Sequence, residues 1–416
     1  MERLPGSATG VVAVTTENRL QRTPDGAVWT VAGPAHSFWT RYLSAFERVR
    51  LLARVADVST PPAGASRVDG LGVQVWPLPS DVGPTRYLPR RRALRRAVRD
   101  AVDDVEAVVL RVPSPIAAVT IAILRRQQRG YAVEVIGDPY DIAAPGTADH
   151  PLRPLSRRRA VRKLREQCHY ATGAAYVTET HLQNRYPPGP HTVTVWYPSV
   201  DLRPDAFATR PRPAPTPGDP VTLICVAALD EPDMGLDVAL VAVRRLVDTG
   251  TDVRLVHVGD GRFRPRLERM TLQQGLSDRV TFTGNLPATE VRAELDAADL
   301  FVLPSRTDDL SRALIEAMAR GLPAIATPVS GMPELLSPDC LVPPGDPVAL
   351  ADAIRRLLDE PALLATAAER NLARSRDYRA EILAPRRAAF YRTVRLACRP
   401  AAVEPASPVR EHASAN

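Results

Sequence analysis

The chain predicts an α/β protein built from two doubly wound domains, and three observations carry that prediction. Strand-like and helix-like segments alternate through both halves, as parallel sheets joined by crossover helices require. A proline-rich stretch without apolar periodicity, 206–220, interrupts the alternation near the middle. With 416 residues and 45% hydrophobic content, the chain can bury two cores of ordinary size.

Taken in order, the first half (1–205) shows strand character at 10–16, 49–55, 73–78, 107–112, 132–136, 174–178 and 192–196. Helical patterns at 91–102, 115–129 and 156–170 lie between them. The linker 206–220 follows, and the second domain, 221–375, resumes the alternation at Val221. No short-period repeat is present, so the duplication is one of architecture. Helical segments complete the domain past Val348, and 399–416 reads as a disordered tail.

Composition excludes several classes. Cys168, Cys225, Cys340 and Cys398 are widely spaced, without a CxxC pair or metal-type cluster, which predicts reduced thiols of a cytoplasmic protein. The longest clean apolar stretch, 116–124, is too short to span a bilayer, and the N-terminus lacks the pattern of a secretory signal. Lys163 is the sole lysine; with abundant alanine and 41 prolines this is the usage of a GC-rich genome such as an actinobacterial one. The net charge of +7 concentrates at Arg90–Arg92 with Arg95 and Arg96, and between Arg153 and Arg165. Solvated helix faces account for such runs. The alternative is a surface for anionic lipid, since Val161 and Leu164 interleave the second cluster at helical spacing. No helix-turn-helix, zinc-finger or aromatic RNA-binding pattern accompanies the charge, so nucleic acid is not an expected partner.

The segment 300–333 bears most directly on chemistry. An apolar run, 300–303, ends at Pro304 and Ser305; Asp308 and Asp309 follow, then a helical stretch, 311–320. In that helix Glu316 stands alone among Ala313, Leu314, Ile315, Ala317, Met318 and Ala319. A carboxylate in so apolar a helix is costly to bury unless something satisfies it. Both Asp308 and Glu316 can reach a cavity at the carboxyl end of the strand, where open α/β sheets bind ligands. Two acids there suit a ligand rich in hydroxyl donors, such as a sugar or a ribose.

This segment resembles the donor-binding signature of the family-four retaining glycosyltransferases: two acids separated by seven residues, then Ala317-Met318-Ala319 and Gly321-Leu322-Pro323. The resemblance runs from about Val221 to Leu357 and takes in Val258-Gly259-Asp260-Gly261, the stretch from Arg279 to Gly284, Gly331-Met332-Pro333-Glu334 and the stretch from Val342 to Asp346. It implies the GT-B fold, in which two Rossmann-like domains face a central cleft, with the acceptor on the first domain and a nucleoside diphosphate sugar on the second. It also implies that the last helix, 376–398, crosses back onto the first domain. No metal or other cofactor is expected, the nucleotide sugar being a co-substrate.

Residue by residue, the resemblance implies that Glu316 binds ribose hydroxyls and that Asp308 touches the donor sugar, one methylene shorter than the usual glutamate. Asp309 replaces a glycine beside it. Leu310, Ser311, Gly259, Gly261 and Gly235 belong to the turns expected around the donor. Where an arginine and a lysine usually hold the diphosphate, this chain has Ala228 and Met234. Arg262, Arg264 and Arg306 are the replacement candidates. Gly259-Asp260-Gly261 lacks the third glycine of a dinucleotide fingerprint, so it does not support an NAD site. Asp138, after a strand end where relatives place a histidine, is a candidate catalytic group or a turn-forming Asp-Pro. Asn18, Trp29 and Trp39 follow the first strand, in the region where the resemblance places the acceptor. His36 and His150 are lone loop histidines without metal-ligand spacing.

The function this predicts is retaining transfer of a sugar to a small-molecule acceptor, in natural-product biosynthesis. Two alternatives stand beside it: a peripheral membrane enzyme with a lipid-linked acceptor, and a homologue that binds nucleotide without turning it over.

Overall fold

The computed structural model describes residues 10–31, 33–79, 87–142, 153–216, 218–308 and 310–398. The first domain contains β1 (Val11–Arg22), β2 (Val28–Thr30), α1 (His36–Trp39), β3 (Arg48–Asp57), β4 (Ser66–Arg67), β5 (Val73–Leu78), α2 (Tyr87–Val102) and β6 (Ala107–Val112). It continues through α3 (Pro115–Arg126), β7 (Ala132–Val135), α4 (Pro139–Ile142), α5 (Arg153–His169), β8 (Gly173–Tyr176), α6 (His181–Arg185) and β9 (Val193–Trp196). The strands β5-β3-β1-β6-β7-β8-β9 form one parallel sheet, with β2 and β4 added antiparallel at its side. Every residue of β6, β7 and β8 is buried, as expected for central strands covered by helices on both faces.

The second domain holds β10 (Val221–Val226), α7 (Leu236–Asp248), β11 (Val253–Val258), α8 (Arg264–Gln273), β12 (Val280–Gly284), α9 (Ala288–Ala297), β13 (Leu300–Leu303) and α10 (Arg312–Ala319). After these come β14 (Ala324–Ala326), α11 (Met332–Leu335), α12 (Pro347–Asp359), α13 (Pro361–Ser375) and α14 (Ala380–Ala397). Its five strands are parallel in the order β12-β11-β10-β13-β14, so the strand order reverses at β10. Such a reversal opens a crevice at the carboxyl ends of the central strands.

Two sequence expectations change. The first strand does not end at residue 16 but runs on to Arg22, turns, and pairs with β2 through Gln21↔Trp29 and Arg22↔Val28. Polar residues from Thr16 to Arg19 end the apolar run there, while the backbone stays in the sheet through a register shift between Thr15 and Arg19. The stretch read as an acceptor loop therefore begins as a hairpin. On α5 Leu164 and Cys168 are buried and Val161 packs against the core, while Leu155 near the start of the helix is exposed, as are Arg158, Arg159, Arg162, Lys163 and Arg165. Leu164 is thus part of the core and unavailable to a lipid surface. Among the described residues no helix is long and apolar enough to cross a membrane.

The proline-rich segment lies along the second domain, with the amides of Ala208 and Arg212 donating to the carbonyls of Ala319 (2.8 Å) and Gly321 (2.9 Å). Helix α14 packs on the first domain. Its Tyr391 hydroxyl donates to the buried Glu134 carboxylate at 2.8 Å, which also accepts from Tyr42 (2.8 Å) and Tyr197 (2.9 Å). Phe390 and Val394 press on Gly173, where a Cβ would come within 3.0 Å of both side chains.

Candidate functional site

A cleft of about 540 Å³ lies where the strand ends of the two sheets face each other. Ile136, Val177 and Ser199, which follow β7, β8 and β9, form its first-domain wall. Its second-domain wall comes from the turns after β10, β11 and β12, the end of β13 and the first turns of α10. Gly259 is in the positive-φ region (φ 134), and a Cβ there would stand 2.0 Å from the Ala227 carbonyl oxygen. Only glycine lets these two turns meet.

Helix α10 begins where Ser311 caps it, its hydroxyl accepting from the Leu314 amide at 3.3 Å. Leu314, Ile315, Ala317, Met318 and Ala319 then bury against the sheet, leaving Glu316 directed into the cleft. The Glu316 carboxylate makes no hydrogen bond with any described residue. Burial raises its pKa above the ordinary value, opposed by the charges of Arg312 and Arg292. Glu316 also borders a second cavity of about 310 Å³, shared with Arg203, Asp205, Arg292 and Arg320.

Of the residues singled out from the sequence, the structure brings Asp308, Leu310, Ser311, Gly259 and Glu316 together around the cleft. Asp309 lies outside the described residues. Gly235 and Gly261 serve loop packing: a Cβ on Gly235 would meet the Pro304 carbonyl oxygen at 1.9 Å, and one on Gly261 would meet Leu229 at 2.3 Å. Neither lines the cleft.

The three candidate arginines are each held by carboxylates away from the cleft. Arg306 makes a bidentate pair with Asp237 (2.8 and 2.7 Å) and donates to the Pro232 carbonyl at 2.9 Å, which braces the turn ahead of α7. Arg264 reaches Asp260 at 3.1 Å and Glu268 at 2.7 Å, and Arg262 pairs with Glu231. None of them lines the cleft. Adjacency to a glycine turn in sequence does not determine the side on which a side chain leaves the turn.

Asp138 is buried, paired with Arg185, hydrogen-bonded by the Tyr186 hydroxyl and the Tyr140 amide (2.8 Å), and 3.8 Å from His181 Nε2. Burial alone would raise its pKa, but the nearby His181 ring, hydrogen bonds from Tyr186 and the Tyr140 backbone, and the Arg185 charge hold it below the ordinary value. It is therefore an ionised anchor behind the cleft wall, with its oxygens occupied by its own domain. Trp39 is also a core residue, 1% exposed, with its indole N–H donating to the Pro34 carbonyl at 3.1 Å. Trp29 braces the hairpin through a 3.1 Å bond to Thr23 Oγ1, and Asn18 sits at the β1 register shift, bonded to Thr16 at 2.7 Å. None of these lines the cleft.

Sequence reading missed Arg312, Ser199 and Asn285, all of which line it. For Arg312 a signal existed: it precedes Glu316 by four residues, which places both on one helix face. Ser199 and Asn285 carry no such signal, because their position depends on the two sheets facing each other.

Two domains of parallel sheet facing a shared cleft define the GT-B fold, and solved structures with that arrangement match almost the whole chain. Sucrose-phosphate synthase from Thermosynechococcus elongatus superposes with a TM-score of 0.69 at 19% identity, over 93% of this chain and 99% of that one. HepE of Anabaena, solved in complex with UDP-glucose, gives 0.62 at 16% identity, over 91% of this chain and 98% of that one. In sequence, residues 220–360 match the family model described as Glycosyl transferases group 1. A provisionally assigned colanic acid biosynthesis glycosyltransferase of Escherichia coli, WcaL, is 41% identical over 153 residues, 35% of this chain and 37% of that protein. The 2-deoxystreptamine glucosyltransferase of Streptomyces kanamyceticus is 38% identical over 127 residues, 30% of this chain and 33% of that protein. The matched stretch thus spans about a third of the length of these two relatives.

Proposed function

We propose that the protein is a retaining glycosyltransferase that takes a sugar from a nucleoside diphosphate sugar and attaches it to a small acceptor. The observation that carries this reading is Glu316. It is a desolvated carboxylate without a hydrogen-bond partner among the described residues, at the floor of a cleft formed by strand ends. A ribose diol supplies the two donors such a group lacks. The match of the second domain to the group 1 family model and the fold shared with a protein solved with UDP-glucose support the same ligand class.

In this reading Glu316 accepts from the ribose hydroxyls, and Asp308, in the same cleft, meets hydroxyls of the transferred sugar. The acceptor enters along Ile136, Val177 and Ser199. Its nucleophilic atom bonds to the anomeric carbon while the bond to the diphosphate oxygen breaks. The acceptor's proton passes to the leaving diphosphate, which is held on the same sugar face. Positioning and charge stabilisation supply the catalysis, with no covalent nucleophile. The streptomycete relative named for 2-deoxystreptamine supports a small natural product as acceptor, and four buried free thiols support a reducing cytoplasmic setting.

The test is a thermal-shift panel of UDP, GDP, ADP and dTDP, since a ligand of the native state raises its melting temperature. At least one nucleotide is expected to stabilise the protein. The donor reading fails if none does.

A further inference from the structure

We infer that Arg312 supplies the positive charge for the donor's diphosphate in place of the arginine and lysine that Ala228 and Met234 replace; this rests on the donor-binding reading above. Ala228 and Met234 both line the cleft, so the wall where phosphate-binding cations would stand is uncharged. Arg262, Arg264 and Arg306 are paired with carboxylates outside it. Among the described residues lining the cleft, Arg312 is the single cation. It is exposed and forms no ion pair or hydrogen bond through its side chain with any described residue.

Its position fits the task. Arg312 is the first residue of α10, four residues ahead of Glu316 and on the same face. The Cβ atoms of such a pair stand about 5–6 Å apart, one helical turn. A nucleoside whose ribose is held at Glu316 can therefore extend its 5′ phosphates toward the first turn of α10. Leu310, Ser311, Arg312 and Ala313 all line the cleft there, and the helix dipole adds charge of the same sign. As the anomeric C–O bond breaks, its electron pair passes to the diphosphate oxygen, and a planar guanidinium matches the resulting charge with two parallel N–H donors.

The competing role for Arg312 is to offset Glu316 alone. Its charge does oppose the upward shift of Glu316, yet burial prevails and the shift remains upward. That offset is incomplete, and the two roles separate by ligand. Calorimetric titration uses whichever nucleoside diphosphate binds the wild-type protein, alongside the matching nucleoside. Arg312→Gln is expected to lose diphosphate affinity by on the order of tenfold to a hundredfold, the worth of a charged hydrogen bond. Nucleoside affinity should not change, and Arg312→Lys should recover part of the loss. An equal loss for nucleoside and diphosphate overturns the inference, because Arg312 then acts only through Glu316. Unchanged diphosphate affinity overturns it as well. If the wild-type protein binds no nucleoside diphosphate, the donor reading itself falls, a result distinct from a failure of Arg312 alone. Melting curves of both variants verify folding, which an exposed side chain should not disturb.

Discussion

Glu316 binds protons more tightly in the folded chain than in the unfolded one, because burial disfavours its charge. Above the ordinary glutamate range the unfolded state therefore ionises first, and stability falls as pH rises through the interval up to the raised folded value. Glu316→Gln should stabilise the protein at neutral pH, match it in stability below the ordinary glutamate range, and weaken nucleotide binding. Chemical denaturation at several pH values reads the first two effects. His257 gives the opposite slope. It is fully buried beside the Gly259 turn, neither ring nitrogen makes a well-formed hydrogen bond, and burial lowers its pKa to about 4. From its unfolded value near 6.5 down to about 4, the unfolded chain takes up a proton that the folded chain refuses, so stability falls with acidification. His257→Val should flatten that acid limb and gain about 1–3 kcal/mol by removing an unsatisfied buried polar group.

Three elements, α11, α13 and α14, tie the domains together through buried or shared carboxylates. Glu334, on α11, accepts from the amides of Glu179 (2.7 Å), Thr180 (3.0 Å) and His181 (2.6 Å) and from the Thr180 hydroxyl (2.9 Å). Arg374 on α13 adds a 2.7 Å pair to Glu179. These contacts pin the start of α6, which carries His181 and Arg185 of the Asp138 network, against the second domain. Glu334→Ala should leave each domain folded but loosen the closure, seen as a larger radius of gyration in solution scattering. Helix α14 is fastened by Tyr391 to Glu134. Tyr391→Phe should cost about 1–3 kcal/mol of first-domain stability, measured by denaturant unfolding. How legible such elements are depends on where their stabilising contacts lie. The strands at 73–78, 107–112 and 300–303 can be read to the residue, because apolar-rich runs, interrupted only by Gln74 and Arg111 among polar residues, stop just before Pro79, Pro113 and Pro304. The β1–β2 hairpin cannot, since polar residues such as Thr16, Thr23 and Thr30 interrupt the apolar pattern although they are buried. Glu316 can be read from its isolation in an apolar helix, whereas the Arg262–Glu231 ion pair and the burial of Trp39 are tertiary facts.

For the molecule as a whole, the described basic residues of α2 and α5 lie on solvated helix faces whose buried apolar residues belong to the core. Arg92, Arg95 and Arg96 on α2, like the basic residues of α5, are exposed, while Val98 and Leu164 are buried. With Val98 and Leu164 buried and only Leu155 exposed among the large aliphatic residues of α5, the protein should not sediment with anionic liposomes at physiological salt. Salt-sensitive sedimentation that Arg157→Ser, Arg158→Ser and Arg159→Ser together abolish would instead favour a lipid-linked acceptor. The fold places one carboxylate, Glu316, and one cation, Arg312, on the same helix face in the interdomain cleft. The most direct measurement is calorimetric titration of UDP-, GDP-, ADP- and dTDP-glucose into the wild-type protein and Glu316→Ala. At least one donor should bind the wild type, and the substitution should weaken that binding by on the order of tenfold to a hundredfold while the melting temperature does not fall. Absence of binding by every donor, or equal affinity in Glu316→Ala, would contradict the assignment of this cleft as a nucleotide-sugar site.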